Sequence, residues 1–340
     1  MALQFKNGKF RVLMIADTQE GTKVSSDTLN LINAALDRAQ PDFVIYSGDQ
    51  IWGKRKFKGN KDEVKRVLHE LCEPVISRKI PFAICFGNHD RQVGVSNSEQ
   101  FEIYKSFDYF IGESEDGIDG VGNQCLEIKD GDDVKYLIYL IDSHSNLKIG
   151  YDAVHENQIE WYKNTRDSYE KKLGMTVPSL VIQHIPVCEI FSLLTRVKRT
   201  KKGAVRGFRT HDGEYFVLNK SKVNDNAFMR ESPAGHDHNN SFNGLIDGIN
   251  VGYTQGAGFN VYGPGLDRGV RVIDLFSDGT LDTYDMRYRD IVGKKVDNPL
   301  KYAFLQLCPT NTFDAVVRIA KSFAAIAAFL VVILIIMMFK

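Results

Sequence analysis

Four apolar runs in this sequence stop abruptly at side chains able to bind a divalent cation. Residues 10–16 (FRVLMIA) run into Asp17 and, two positions on, Gln19. Residues 43–46 run through Ser47 and Gly48 into Asp49, and residues 82–86 run through Gly87 into Asn88, His89 and Asp90. A fourth run, residues 178–183, ends on His184, and His236 and His238 flank Asp237 further along. An apolar run closed by a turn residue reads as a buried strand, and groups at the carboxyl ends of such strands share one rim of a sheet. A His-x-His pair on an extended segment puts both imidazoles on one side. Carboxylates, an amide oxygen and imidazoles together suit divalent first-row metals, and a carboxylate such as Asp49 can bridge two of them. Taken singly, each histidine reads as a hydrogen-bonded loop or core residue. The recurrence of the pattern points to a metal site.

The elements that must position these residues alternate. Residues 24–39 carry a helical apolar stripe stopped by Pro41, and residues 61–77 carry another through Val64, Val67, Leu68, Leu71 and Val75. Strand, helix, strand, helix at these lengths predicts an α/β fold with a largely parallel sheet and right-handed crossovers. Helices are also predicted over 97–107 and 154–173. A hairpin is predicted around Asp130-Gly131-Asp132, and a strand pair over 270–276 and 280–285. From 187 to 233 the periodicity fades. Arg196, Lys198, Arg199, Lys201, Lys202, Arg206 and Arg209 crowd that stretch. It reads as a solvated charged loop, or as a lid inserted between two ligand positions over an anionic substrate or lipid.

At 340 residues, with 43 basic and 43 acidic side chains, the zero net charge gives no argument for a nucleic-acid partner. The basic stretch also lacks the interleaved aromatics that stack on bases. The five cysteines, Cys72, Cys85, Cys125, Cys188 and Cys308, have no metal-site spacing. An odd, scattered set fits a reducing compartment, with Cys85 and Cys188 expected as buried thiols. No signal peptide is expected, since residues 10–16 are too short for an apolar leader core. At the other end, residues 323–339 carry no charge and Ser322 extends them. As a helix they would span about 26 Å, close to the roughly 30 Å hydrocarbon core. Arg318 and Lys321 precede the run, Lys294, Lys295 and Lys301 lie upstream, and only Lys340 follows. The expectation is a domain over 1–290, a connector over 291–317 and a single-pass anchor over 318–340. The membrane contact falls on 322–339, and the charge asymmetry holds the domain on the cytoplasmic side.

Taken together, the motifs D-x-[H/Q] at Asp17–Gln19, GD at Gly48–Asp49, GNHD at Gly87–Asp90, the lone His184 and GHDH at Gly235–His238 resemble the calcineurin-like metallophosphoesterases. The resemblance covers residues 11–285 and is nearest to the small bacterial and purple-acid-phosphatase-related types. It implies a four-layer α/β/β/α sandwich of mixed sheets. It also implies two divalent ions, with Mn²⁺ favoured and Fe²⁺ or Zn²⁺ as alternatives. Asp17, Gln19, Asp49 and His238 would surround one ion, and Asp49, Asn88, His184 and His236 the other. A bridging hydroxide would attack phosphorus in line. His89 would stand over the phosphate as proton donor or charge stabiliser, with Asp90 holding its ring. Arg91 and His144 are candidates for substrate contact, each weighed against a plain surface or loop role.

Two departures from the family pattern stand out. Gln19 replaces the usual histidine, either as a direct oxygen ligand or as a hydrogen-bonding neighbour with water completing the shell. Either way a neutral oxygen weakens that site or favours harder ions. Trp52 stands where purple enzymes place a tyrosine, which speaks against a purple centre. The expected function is therefore a metal-dependent phosphoester hydrolase, phosphatase or phosphodiesterase. A non-catalytic binding or scaffold protein with an impaired metal site is the alternative.

Overall fold

Short runs rich in β-branched and aromatic residues build two main sheets, whose strands are numbered in chain order. The computed structural model describes residues 2–53, 57, 59–148, 150–206, 214–230 and 237–307, together with 316, 319, 320, 323, 326 and 327. In the first sheet β2 (Lys9–Ile15), β3 (Phe43–Ser47) and β4 (Phe82–Cys85) run parallel. On the far side of β2 lie β14 (Gly269–Phe276) and then β15 (Leu281–Arg287), both antiparallel to their neighbours. The sheet is thus mixed, not largely parallel as the strand-helix alternation predicts. The tight turn at Gly279 makes β14 and β15 a hairpin, and a hairpin brings at least one antiparallel pair into any sheet it joins. The second sheet, in the order β1 (Leu3–Gln4), β5 (Gln124–Asp130), β6 (Asp133–Leu140), β7 (Ser179–Ile182), is also mixed.

The period-2 alternation of β6 explains the layering. Tyr136, Ile138 and Leu140 face the first sheet, in one cluster with Phe10, Val12, Phe43, Ile45, Ala83, Cys85, Ile128 and Ile182. The intervening Leu137 and Tyr139, with Ile141, face the other way. There they meet Trp161, Tyr162 and Tyr169 of α4 (Glu156–Leu173). The outer face of the first sheet is covered by α1 (Ser26–Ala39) and α2 (Lys61–Ile76), and Tyr46 of β3 donates to the Leu71 carbonyl at 3.1 Å. The order is helix, sheet, sheet, helix. Asn60 caps α2 through the N–H groups of Asp62 and Glu63, and a Ser96–Glu99 capping box starts α3 (Asn97–Lys105).

The stretch after His184 is structured. A 3₁₀ turn, Cys188–Leu193, leads into a small sheet of β8 (Leu194–Val197), β9 (Val205–Arg206) and β10 (Tyr215–Leu218). A second sheet holds β11 (Phe228–Met229), β12 (Asn240–Ile246) and β13 (Ile249–Tyr253). Ile190, Leu193, Ala227, Phe242 and Tyr253 form a core of their own there. Cys188, expected as buried, is exposed, because it opens the 3₁₀ turn and is not on a strand.

The first compact unit runs through Asp297. It closes with α5 (Tyr288–Ile291), whose buried Tyr288 donates to Asp27. In the second unit α6 (Pro299–Leu307) leaves Leu300 and Phe304 exposed at 85% and 67%. Among the described residues no helix is long and apolar enough to cross a membrane. Most of the expected anchor, 318–340, lies outside the described residues.

Candidate metal centre

The strand-end loops are pinned to one another before any side chain is considered. Asp17 donates its N–H to the Gly48 carbonyl, Gln19 to Asp49 and Glu20 to Gln50, at 3.1, 2.8 and 2.9 Å. Asp17, Gln19 and Asp49 hold φ of 52°, 41° and 55°. Such left-handed backbone in a non-glycine residue costs on the order of 1 kcal/mol or more and clusters at functional sites. Two glycines let the loops approach. A Cβ on Gly48, at φ +104°, would lie 2.4 Å from His184 Nδ1, and one on Gly87 would lie 2.2 Å from Asp49 Oδ1.

The result gathers Asp17, Asp49 and His184, all buried, with ligand atoms within 4.8 Å of one another. His184 Nε2 lies 3.4 Å from Asp49 Oδ2, and His238 Nε2 lies 3.3 Å from Asp17 Oδ1. Charge-assisted hydrogen bonds are shorter, about 2.7–2.9 Å. These separations are longer than such a bond and short enough for the two atoms of each pair to share one cation. Both histidines are set for ligation by an acceptor on the far nitrogen. His184 Nδ1 is 3.0 Å from the Ser47 carbonyl and His238 Nδ1 is 3.0 Å from the Tyr262 carbonyl. A carbonyl only accepts, so Nδ1 carries a proton in both rings and Nε2 is the nitrogen turned inward. The Tyr262 ring also stacks on His238, 4.4 Å away and within 11° of parallel. Asn88 Oδ1 is buried with no hydrogen-bond donor, as a ligand oxygen would be. The donor set fits a divalent cation centre.

Gln19 presents its nitrogen, not its oxygen, to this group: Nε2 donates to Asp49 Oδ2 at 2.8 Å. An ionised carboxylate accepts only, so the amide orientation follows from the network.

The expected partnership of Asp90 with His89 is not what holds the ring. The Asp90 carboxylate is occupied by four backbone N–H groups, those of Asp49, Gln50, Ile51 and Gly87, at 2.7–3.1 Å. It staples the Gly48–Asp49 loop to the Gly87–Asp90 loop. His89 is held through its own N–H, which donates to Asp49 Oδ1 at 2.8 Å, and through Nδ1, 2.9 Å from Gln92 Oε1. Gln92 lies within the 3₁₀ turn Asp90–Val93, three residues beyond His89, which brings the two side chains together.

The electrostatics follow burial and neighbours. Burial alone would depress the His184 imidazolium, but the adjacent Asp49 carboxylate lifts it to about 10. His238 is pushed down to about 3, chiefly by burial. Burial, then the Asp49 charge, raise the Asp90 carboxyl to about 7 against the N–H donors of Gly87 and Ile51. A site that keeps a proton beside Asp49 when empty is one where a cation would replace that proton.

The remaining predicted residues fall elsewhere. His236 lies outside the described residues. Arg91 is exposed. His144 belongs to a separate group with Asp152 and His155 whose ligand atoms also lie within 4.8 Å. Its ring stacks on His155 at 3.9 Å and 21°, so the in-plane lone pairs run side by side and do not converge. His155 sits between Asp119 and Asp152, at 2.6 and 3.2 Å, and the Asp119 carboxylate raises its pKa. That is an ion-pair latch, not a chelate. Gln92, Ser47 and Tyr262 were not foreseen. Two act through backbone carbonyls, which leave no trace in residue type, and Gln92 is signalled only by its spacing from His89.

Over residues 10–240 the chain matches the calcineurin-like phosphoesterases, and it belongs to that family. It is similar to phosphatase DCR2 of Saccharomyces cerevisiae, 26% identical over a 266-residue alignment that covers 69% of this chain and 45% of the yeast protein. The chain thus matches less than half the length of that relative. It is also similar to probable inactive purple acid phosphatase 14 of Arabidopsis thaliana, 26% identical over 316 residues, covering 81% of this chain and 77% of the plant protein. Among solved structures, a dimetal phosphatase from Danio rerio is 12% identical with a TM-score of 0.40, over 82% of this chain and 99% of that one.

Proposed function

We propose that the chain is a metal-dependent phosphoester hydrolase with a two-ion centre held by Asp17, Asp49, Asn88, His184 and His238, and by His236. One observation carries this reading. Two buried histidines each have Nδ1 on a backbone carbonyl and Nε2 turned to a buried carboxylate, 3.3–3.4 Å away. Divalent ions there would supply Lewis-acid activation of water and neutralise phosphate charge. The carboxylate and amide oxygens suit Mn²⁺, and the imidazoles suit Fe²⁺ or Zn²⁺ as alternatives.

His89 supplies the residue-borne part of the chemistry. Its side chain is 19% exposed, against 0–5% for Asp17, Asp49, His184 and His238. Among these described residues it is the group that meets solvent, and it marks the side from which a phosphoester would arrive. A positioned imidazole there can take up a proton on the nitrogen that faces the site and deliver it to a phosphate oxygen. Arg91, two residues on and exposed, is the candidate to meet an incoming anion. The name of the yeast relative as a phosphatase agrees with this reading.

The second reading is a phosphoester-binding protein without turnover. The words "probable inactive" in the plant relative's name favour it, and so does Gln19, whose nitrogen faces Asp49 where a metal-binding nitrogen or oxygen would be useful. Hydrolysis of a chromogenic phosphomonoester and phosphodiester with Mn²⁺ separates the two.

The chain's end supports a tether. Residues 323–339 are wholly apolar, and Leu300, Phe304, Phe323 and Ile326 are exposed. A single-pass anchor with the domain on the cytoplasmic side is the proposed placement. Flotation with membranes before and after removal of residues 318–340 tests it.

A further inference from the structure

We propose that Trp52 and Gln92 form a positioning pair that locks His89 in one tautomer, with the proton on Nδ1 and the lone pair of Nε2 turned into the site. The lock is geometric; its catalytic meaning presupposes the hydrolase reading above.

Trp52 brings an obligate donor to this cluster. An indole N–H can donate a hydrogen bond but has nothing to accept with. Trp52 Nε1 lies 3.1 Å from Gln92 Oε1. The oxygen and nitrogen of a glutamine amide are normally told apart only by their surroundings, and here an indole decides which is which. The amide nitrogen is then left facing the Asn88 carbonyl, 3.4 Å away, which is an acceptor. Both ends of the amide are therefore matched in one orientation and mismatched in the other.

The same oxygen lies 2.9 Å from His89 Nδ1. A carbonyl oxygen has two lone pairs and can take both the indole and the imidazole N–H. A bare Nδ1 would set lone pair against lone pair. The proton therefore resides on Nδ1, and the nitrogen offered to the site is Nε2, 3.9 Å from Asp49 Oδ2.

Three further contacts hold the arrangement. The Trp52 ring lies against the His89 ring, centroids 5.2 Å apart and tilted 49°. The Gln92 N–H donates to the His89 carbonyl at 2.9 Å. A Cβ at Gly53 would come within 2.1 Å of the Gln92 carbonyl oxygen, so the two segments touch and only glycine fits between them. The orienting group is neutral because the neighbouring carboxylate, Asp90, is committed to backbone N–H groups. The imidazole is steered without a negative charge placed on its outer nitrogen.

The test is nitrogen NMR of the full chain, metal-free and ¹⁵N-labelled at histidine, with the His89 signals assigned by their loss in His89→Gln. The wild type is expected to show a protonated Nδ1 and an unprotonated Nε2 for the neutral ring. Trp52→Phe keeps a ring against His89 but frees the Gln92 amide to turn, so a mixture of tautomers is expected. Gln92→Leu should also give a mixture, and Gln92→Glu should restore the Nδ1–H form. In turnover with a chromogenic phosphoester and Mn²⁺, Gln92→Leu should lower kcat by at least about tenfold with KM and metal content unchanged. Gln92→Glu should recover it. A wild-type proton on Nε2, or a tautomer unmoved by both Trp52→Phe and Gln92→Leu, overturns the proposal. A wild type with the Nδ1–H tautomer and no hydrolysis sinks the hydrolase reading and leaves the positioning pair standing.

Discussion

The carboxylate of Asp90 accepts the backbone N–H of Asp49 at 2.9 Å, across 41 residues of chain. With the N–H groups of Gln50, Ile51 and Gly87 on the same two oxygens, one buried side chain sets the relative position of two ligand-bearing loops. Sequence adjacency to His89 points to a different task for Asp90, and the structure reassigns it from orienting a ring to joining two strand ends.

Asp90→Asn tests that assignment. The amide would turn N–H₂ toward backbone donors and leave buried N–H groups unpaired, at about 1–3 kcal/mol each. We expect unfolding free energy to fall by roughly 2–4 kcal/mol in urea titrations, with less bound metal. A loss below about 1 kcal/mol with full metal content would mean the loops are held by other contacts.

Gly48→Ala tests the close approach at the centre. The new Cβ would meet the His184 ring at 2.4 Å, on backbone at φ +104°. The expected cost is about 1–3 kcal/mol, with metal affinity lost because His184 is displaced. Unchanged metal stoichiometry in a folded variant would place His184 outside the coordination sphere.

Much of this site was legible because its residues end apolar strands. Asp17, Asp49 and Asn88 follow runs whose burial fixes where they emerge, and His184 follows a strand that ends on buried Ile182. What was not legible depends on partners remote in sequence. The hairpin of β14 and β15 inserts beside β2 from more than two hundred residues away, and no local pattern announces its direction. β12 begins with Asn240 and Ser241, both buried but polar, so periodicity misses it. Tyr262 matters through a carbonyl and a stacked ring, positioned by Arg268, which donates to the carbonyls of Gly258, Val261 and Gly265.

The His155 latch should make stability pH-dependent. Its pKa is raised, so its contribution is present below the unfolded value of 6.5 and lost as pH rises through the folded pKa. Asp119 and Asp152 are lowered, so theirs is present above 3.8 and lost as pH falls through the folded values. The latch is complete between those limits. The group is half-exposed and screened, so the effect is modest. His155→Gln should lower Tm relative to wild type near about pH 5.5, and the gap should close near about pH 9. A gap equal at both would show that packing on His144, not charge, is what was removed.

Gln19→His should tighten metal binding, since an imidazole beside Asp49 Oδ2 adds a ligand where the amide now only donates. An unchanged Zn²⁺ titration would show that Gln19 acts solely by orienting Asp49.

On the proposed reading, the carboxylates and imidazoles gathered at Asp49 hold ions that support phosphoester hydrolysis. The direct measurement is Mn²⁺-dependent hydrolysis of a chromogenic phosphomonoester and phosphodiester by the full chain, with metal content determined on the same samples, for wild type, Asp49→Ala and His89→Ala. We predict turnover of at least one ester by wild type, loss of both metal and turnover in Asp49→Ala, and a drop of roughly 10²–10⁴-fold with metal retained in His89→Ala. A wild type that binds metal and hydrolyses neither ester, or a His89→Ala variant that turns over at the wild-type rate, would contradict it.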